Sequence, residues 1–306
     1  MTMRKPFVVS PWIKCSTCFA SIDFNDAQIK GYYKGEKIVT CPQGHTTDWW
    51  NLIKHGIKDN FMDNQAYTFI GAETKVFTIC LQEGQAYRYK FSDYGIPHDA
   101  KVLYINYTSQ GPGLFPIEMH GNVSTRRSVG NEVVVYPVPT KLDSSNSAQT
   151  DTKVSVMVSW VPSTTEDGSL YSLREAFDFY MQDNYLSVII PANVAVELAV
   201  ERLLTSYFQN FSSKTKADKF MKEVTYEHQL NVLLPMIAKR EGLPVLPEQI
   251  WDELNKLRRN RNNVAHCGKL EKPFEKDEAA RLLCGSLFGL HYMKYLREQL
   301  LGNLKL

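Results

Sequence analysis

Two different hydrophobic periods divide this chain. From Tyr67 to Trp160 apolar residues tend to alternate with polar ones, and β-branched and aromatic side chains dominate. After Thr165 apolar residues recur every third or fourth position. The first period suits strands and the second suits helices, and neither settles stably as the other. The sequence therefore predicts a multidomain α+β protein with its sheet part before its helical part. Segments 75–81, 86–91, 101–107, 132–136 and 153–160 read as strands. Glu83-Gly84 reads as a hairpin turn between the first two, and 111–113 and 129–131 as further turns. Short strands without intervening helices predict a central antiparallel β-sandwich or jelly-roll-like domain over 61–165, with 141–152 as a polar loop. Over 166–306 the pattern predicts helices near 169–182, 191–209, 216–240, 247–266 and 275–301, packed as a bundle. Pro191 suits a first turn, and Gly268 suits a C-terminal cap.

Residues 1–60 carry a different constraint, Cys15-x2-Cys18-x22-Cys41-x3-His45. A two-residue gap lets both thiolates of Cys15 and Cys18 point into one knuckle. Cys41-Pro42-Gln43-Gly44-His45 supplies a second pair, with Pro42 and Gly44 shaping the turn. Zinc favours four such ligands in a tetrahedron. The segment resembles a zinc ribbon, and the 22 intervening residues are expected to form a short hairpin with Gly31 or Lys34-Gly35 near its turns. Because protein fills all four positions, the implied zinc is structural. His55 is an alternative ligand with a less suitable spacing. Trp49-Trp50 follows the second knuckle, placed either to stack on bases or to pack the module on its neighbour, and packing is the commoner use.

Net charge is only +2, so no global basic field draws nucleic acid. An RNA site must be a local cluster, and Lys256, Arg258, Arg259 and Arg261 form one. Three of the six cysteines sit in the metal pattern, while Cys80, Cys267 and Cys284 are scattered. That usage fits a reducing cytoplasm better than a disulfide framework. Nothing near the start reads as a signal peptide. Pro191, Glu197 and Glu201 interrupt the most apolar stretch, so no membrane span is expected.

The run Arg259-Asn260-Arg261-Asn262-Asn263-Val264-Ala265-His266 carries chemistry. RNA supplies its own nucleophile, the 2′-hydroxyl beside the scissile phosphate. Catalysis then needs a group that exchanges protons near neutral pH, which histidine does. It also needs a cation matched to phosphate oxygens, which arginine is. Asparagine can orient either one.

Arg261-Asn262-x3-His266 resembles the signature of the HEPN superfamily, and Arg259 to His266 fits its looser form. The upstream helix containing Val194-Ala195-Val196-Glu197-Leu198 and the closing apolar helix agree with that likeness, which spans roughly 170–301. The resemblance implies a homodimer whose two motifs face each other across the interface. It implies metal-independent RNA cleavage to a 2′,3′-cyclic phosphate and a 5′-hydroxyl. It also implies a toxin or anti-phage effector similar in layout to the Apea-like branch, with an RNA substrate and a phage-derived trigger or regulatory partner. In one variant of the family a tyrosine follows the histidine by two positions and is modified; here that position is Gly268, so that control is not expected.

On an ideal helix Arg261 and His266 lie roughly 140° apart. Arg261 aligns with Ile250, Leu254, Leu257 and Val264, whereas Arg259, Asn262, Asn263 and His266 share another face. The family pattern favours Arg261 and the helix geometry favours Arg259. Glu197 and Glu201 lie on an apolar face and need partners, either the motif's arginines or a bundle salt bridge. The last helix carries two stripes, one of Leu283, Leu287 and Leu290, the other of Phe288, Tyr292, Tyr295 and Leu296. The second stripe is open to the β domain, a second subunit or burial within the bundle. The competing functional reading is a non-catalytic RNA- or protein-binding dimer that recognises its partner through the ribbon.

Overall fold

The computed structural model describes residues 12–23, 26–58, 72–109, 114–118, 132–139, 151–162, 168–267, 270 and 274–302. The expected cap at Gly268, the turns at 111–113 and 129–131 and most of the 141–152 loop lie outside the described residues. The chain divides into two compact units. One is built on residues 71–166. The other joins 11–70, which carries the cysteine pattern, to the helical segment 167–306.

The first unit is a pair of open three-stranded sheets. Strands β5 (Glu73–Gln82), β6 (Tyr87–Lys90), β7 (Lys101–Ser109), β8 (Leu114–Glu118), β9 (Glu132–Pro139) and β10 (Asp151–Val161) supply them. One sheet runs β5-β10-β7 and the other β6-β9-β8, with all pairs antiparallel. Period-two alternation puts Val154, Val156 and Val158 of β10 into the core with Ile79, Leu81, Val133 and Val135. Val156 sits opposite both Phe77 and Tyr107, which fixes the register.

Two expectations are corrected here. Among the described residues the sheets close into neither a barrel nor a sandwich of jelly-roll type, because each holds three strands. Glu83-Gly84 does turn the chain, with Gly84 at φ 71°. The strands it joins are not a hairpin, however: β5 pairs with β10 and β6 with β9. Strand β8 was not among the expected strands. Its Pro116 is tolerated because, among the described residues, β8 pairs with β9 alone at the edge of its sheet.

In the second unit, β1 (Trp12–Lys14) and β2 (Ser21–Asp23) form one hairpin and β3 (Ile38–Thr40) and β4 (Thr46–Asp48) another. Between them the chain forms a helix, α1 (Asp26–Tyr33), not the expected hairpin, and Gly31 lies inside it. Helix α2 (Trp49–Lys58) follows β4, with the Asp48 carboxylate capping it by accepting from the Asn51 backbone N–H at 2.7 Å.

The helical segment contains α3 (Gly168–Met181), α4 (Ile189–Phe208), α5 (Lys214–Glu223), α6 (Tyr226–His228), α7 (Leu234–Arg240), α8 (Glu248–Cys267) and α9 (Lys276–Gly302). Pro191 sits in the first turn of α4, where its missing N–H costs nothing. The single helix expected over 216–240 is broken. Val224 turns to an extended conformation, and Thr225 caps the next helix by accepting from the His228 backbone N–H. A π-helical stretch, Gln229–Leu233, then links α6 to α7 just before Pro235. A widened turn is one way to seat a proline that has no N–H to give.

Helix α9 joins the two parts of this unit. Phe288, Tyr292, Tyr295 and Leu296 are buried, and rings of the cysteine-bearing segment pack on the first three. Tyr32 and Trp50 pack on Phe288, while Tyr33 stacks on Tyr295 and meets Tyr292 edge-on. The aromatic members of the second stripe thus meet α1 and α2. On the other side Gly285 lets α8 approach: a Cβ there would lie 2.9 Å from Glu253 Cβ and 3.8 Å from the Trp50 ring.

Candidate functional site

Cys15, Cys18, Cys41 and His45 place one ligand atom each within 4.8 Å of one another. Both knuckles turn through left-handed backbone, at Phe19 (φ 57°) in the first and Gly44 (φ 83°) in the second. Glycine is the usual choice there, so the first knuckle is built against the local preference and left no glycine to find. The Phe19 N–H bonds to the Cys15 carbonyl at 3.0 Å, and the Gly44 N–H to that of Cys41 at 2.9 Å. The His45 backbone N–H donates to the Cys41 sulfur at 3.3 Å.

The spacing between ligand atoms is informative. Cys18 Sγ lies 3.7 Å from Cys41 Sγ, and Cys41 Sγ lies 3.5 Å from His45 Nδ1. A tetrahedral ion with metal–sulfur bonds near 2.3 Å and metal–nitrogen bonds near 2.0 Å requires ~3.8 and ~3.5 Å for those edges. A disulfide would require about 2.05 Å. The four residues therefore fit a tetrahedral metal ion. Burial pushes the Cys15 thiol up, but hydrogen bonds from the Thr17 and Cys18 backbone and contacts with the Cys18 and Cys41 sulfurs outweigh it, bringing it to about 7. That shift favours the thiolate a metal needs. His55 is not in the cluster; it lies on α2.

Helix α8 carries the arginine–histidine run on its last turns. Its N-terminal part is anchored by buried Ile250, Leu254 and Leu257. Beyond Leu257 the helix becomes more accessible. Arg261 and Asn262 are half-buried, and Arg259, Asn263 and His266 are exposed. Arg261 Nη1 donates to Asn262 Oδ1 at 3.1 Å. Among the described residues no hydrogen bond joins His266 to either one, so the fold of one chain unites Arg261 with Asn262 and leaves His266 apart.

The basic cluster divides in two. Lys256 pairs with Glu278 at 3.0 Å. Arg258 donates Nη1 and Nη2 to the two oxygens of Glu227, at 3.0 and 3.1 Å. Among the described residues, no carboxylate pairs with Arg259 or Arg261. Glu197 is half-buried and accepts from Asn193 Nδ2 at 3.1 Å, whereas Glu201 is exposed. Neither carboxylate bonds to Arg259 or Arg261 among the described residues.

Tyr226, which the sequence reading did not single out, brings Glu197 and Arg258 together. Tyr226, Glu197 and Arg258 are close enough to interact electrostatically. Burial and the Glu197 charge push the Tyr226 phenol far above its ordinary value, and Arg258 opposes them. Tyr226 Oη, Asn193 Oδ1 and Arg258 Nε are buried without a hydrogen-bond partner among the described residues. Groups of this kind are uncommon and cluster where a protein binds or reacts. No local pattern announces them, since Glu227 and Arg258 are 31 positions apart in the chain.

No protein-family model, no curated protein and no solved structure matches this chain. Among the described residues no helix is long and apolar enough to cross a membrane.

Proposed function

We propose that the helical segment is an endoribonuclease of HEPN type, that it cleaves RNA by transesterification as a homodimer, and that the cysteine cluster holds a structural zinc ion. The observation that carries the nuclease reading is the division of the basic cluster. Lys256 and Arg258 are neutralised within the chain, whereas Arg259 and Arg261 keep their charge for an outside anion, and Asn262 orients Arg261. A phosphodiester is the anion a planar guanidinium matches best.

The chemistry is a displacement at phosphorus. A base takes the proton of the 2′-hydroxyl, and its oxygen attacks the adjacent phosphorus. The 5′-oxygen leaves and takes up a proton, giving a 2′,3′-cyclic phosphate and a 5′-hydroxyl. His266 exchanges these protons, and Arg261, aided by Arg259, stabilises the crowded phosphate. Arg261 and His266 diverge by roughly 140° on one helix, so a second copy completes the site by facing its own motif. The toxin or anti-phage role, a phage-derived trigger and a cytoplasmic location belong to the same proposal.

Zinc is supported by the donor set, three thiolates and an imidazole, and by edge lengths close to those of a zinc tetrahedron. All four positions are protein ligands, so the ion orders the knuckles and takes no part in cleavage.

The test is direct. Purified protein is incubated with tRNA and with total RNA in buffer without added divalent metal, and product ends are typed. Cyclic-phosphate ends that disappear with His266→Ala support the reading. Equal cutting by wild type and His266→Ala refutes the assignment of His266. The separation of His266 from Arg261 favours one second reading, a non-catalytic RNA-binding dimer, which predicts RNA retention without cyclic-phosphate ends.

A further inference from the structure

A cavity of about 360 Å³ opens between α3, the turn at Leu186–Val188, α4 and the end of α8. It falls in the range of small-ligand sites, roughly 300–1,000 Å³. Its apolar walls include Phe179, Ile190, Val194 and Val264, and its polar groups include Glu175 and Ser187. Val264 ties it to the motif. It lies three residues beyond Arg261, so the two are neighbours on the surface of α8, about 5–6 Å apart at Cβ.

We propose that this cavity is the subsite for a nucleobase of the RNA strand whose phosphate lies on Arg261, and that it prefers guanine. The proposal rests on the endoribonuclease reading and adds substrate selectivity to it. A base beside a bound phosphate needs a flat apolar slot with an aromatic wall, because stacking holds any base by its face. Phe179 supplies an aromatic wall, and Ile190, Val194 and Val264 supply apolar ones. Selectivity needs polar groups at the edge. The Glu175 carboxylate can only accept hydrogen bonds. Guanine presents two adjacent N–H donors, N1–H and the N2 amine, matched to two carboxylate oxygens. Uracil presents one, while cytosine and adenine each present an amine beside an acceptor that a carboxylate repels. The Ser187 hydroxyl can donate to a ring carbonyl or nitrogen.

The full-length protein is labelled at isoleucine and valine methyls and titrated with guanosine 3′-monophosphate, uridine 3′-monophosphate and inorganic phosphate. The expected result is saturable shifts at Ile190, Val194 and Val264, with the guanine nucleotide binding about tenfold tighter than the uracil one. Ser187→Phe fills the slot and abolishes the shifts. Glu175→Gln, at an exposed position that leaves the fold intact, removes the tenfold preference and keeps weak binding. The proposal is overturned if the methyls do not respond, if phosphate alone reproduces the response, or if Glu175→Gln keeps the preference. It is also overturned if the methyls move only with protein concentration, which would assign the cavity to a second copy of the chain. RNA cleavage is scored separately. Nucleotide binding without cleavage sinks the nuclease reading and leaves the slot standing, whereas cleavage without methyl shifts sinks the slot alone.

Discussion

Glu227 and Arg258 meet through two parallel hydrogen bonds, of 3.0 and 3.1 Å, that tie α6 to the helix carrying the motif. The geometry is the forked one that arginine makes with a carboxylate. Glu227 is more than half exposed, so solvent screens the pair. Glu227→Ala is expected to cost under about 1 kcal/mol in denaturant unfolding. It would also release a third cation beside Arg259 and Arg261, so RNA binding should tighten and become more salt-dependent. Unchanged salt dependence would show that Arg258 does not reach RNA.

Tyr226 buries a hydroxyl with no hydrogen-bond partner among the described residues. A buried unsatisfied group costs about 1–3 kcal/mol, and removing it by a same-shaped apolar residue is neutral or favourable. Tyr226→Phe should therefore leave the melting temperature unchanged or raise it. If the hydroxyl serves the site, RNA cleavage falls in the same variant. A clear drop in melting temperature would mean that the hydroxyl is bonded in solution.

Phe288 lies between Tyr32 and Trp50, with ring centroids 4.8 and 5.7 Å away. Phe288→Ala empties the joint between the cysteine-bearing segment and α9. A loss of about 3–5 kcal/mol is expected by chemical denaturation, typical of a large aromatic removed from a core.

Removing the metal should reach the same joint from the other side. Metal binding by the wild type is expected to reach one ion per chain in elemental analysis, and Cys41→Ser is expected to abolish it and to lower the melting temperature. Because Tyr32, Tyr33 and Trp50 pack on α9, near-ultraviolet circular dichroism should report loosened aromatic packing as well. An intact aromatic spectrum in the metal-free variant would mean that the segment holds its shape without the ion.

Burial pushes the Glu253 carboxyl above the usual carboxylate range, although Arg281 and Lys256 pull the other way. A carboxyl with a raised folded-state pKa binds its proton more readily in the folded chain. It therefore costs stability as pH rises from its ordinary value through the raised one, and the cost is absent below both. Glu253→Gln should favour the folded chain, as read by the melting temperature, more at pH 8 than at pH 4. A larger gain at pH 4 than at pH 8 would contradict this.

What could be read from the sequence follows from how local each signal is. The cysteine spacing was legible because metal geometry acts over a few residues, and burial of Trp49 and Trp50 followed from their place beside it. The left-handed turn at Phe19 within the first knuckle was not legible, because a phenylalanine stands where the backbone favours glycine. The turn at Glu83-Gly84 was visible, but its strands found partners far along the chain, in β9 and β10. The break at Val224-Thr225 was hidden in a helical period that runs through it. In the candidate site, Arg261, Asn262 and His266 were picked out by spacing, whereas the unpartnered buried atoms of Tyr226 and Asn193 arise from contacts between helices.

At Gly285 three elements meet, α9 itself, Glu253 on α8 and Trp50 on α2. A single added methyl group there would press on Glu253 Cβ and force α8 to shift. The arginines and the histidine ride on the far end of that lever, so an innocuous-looking alanine 19 positions from His266 should disturb them before it disturbs any side chain they touch.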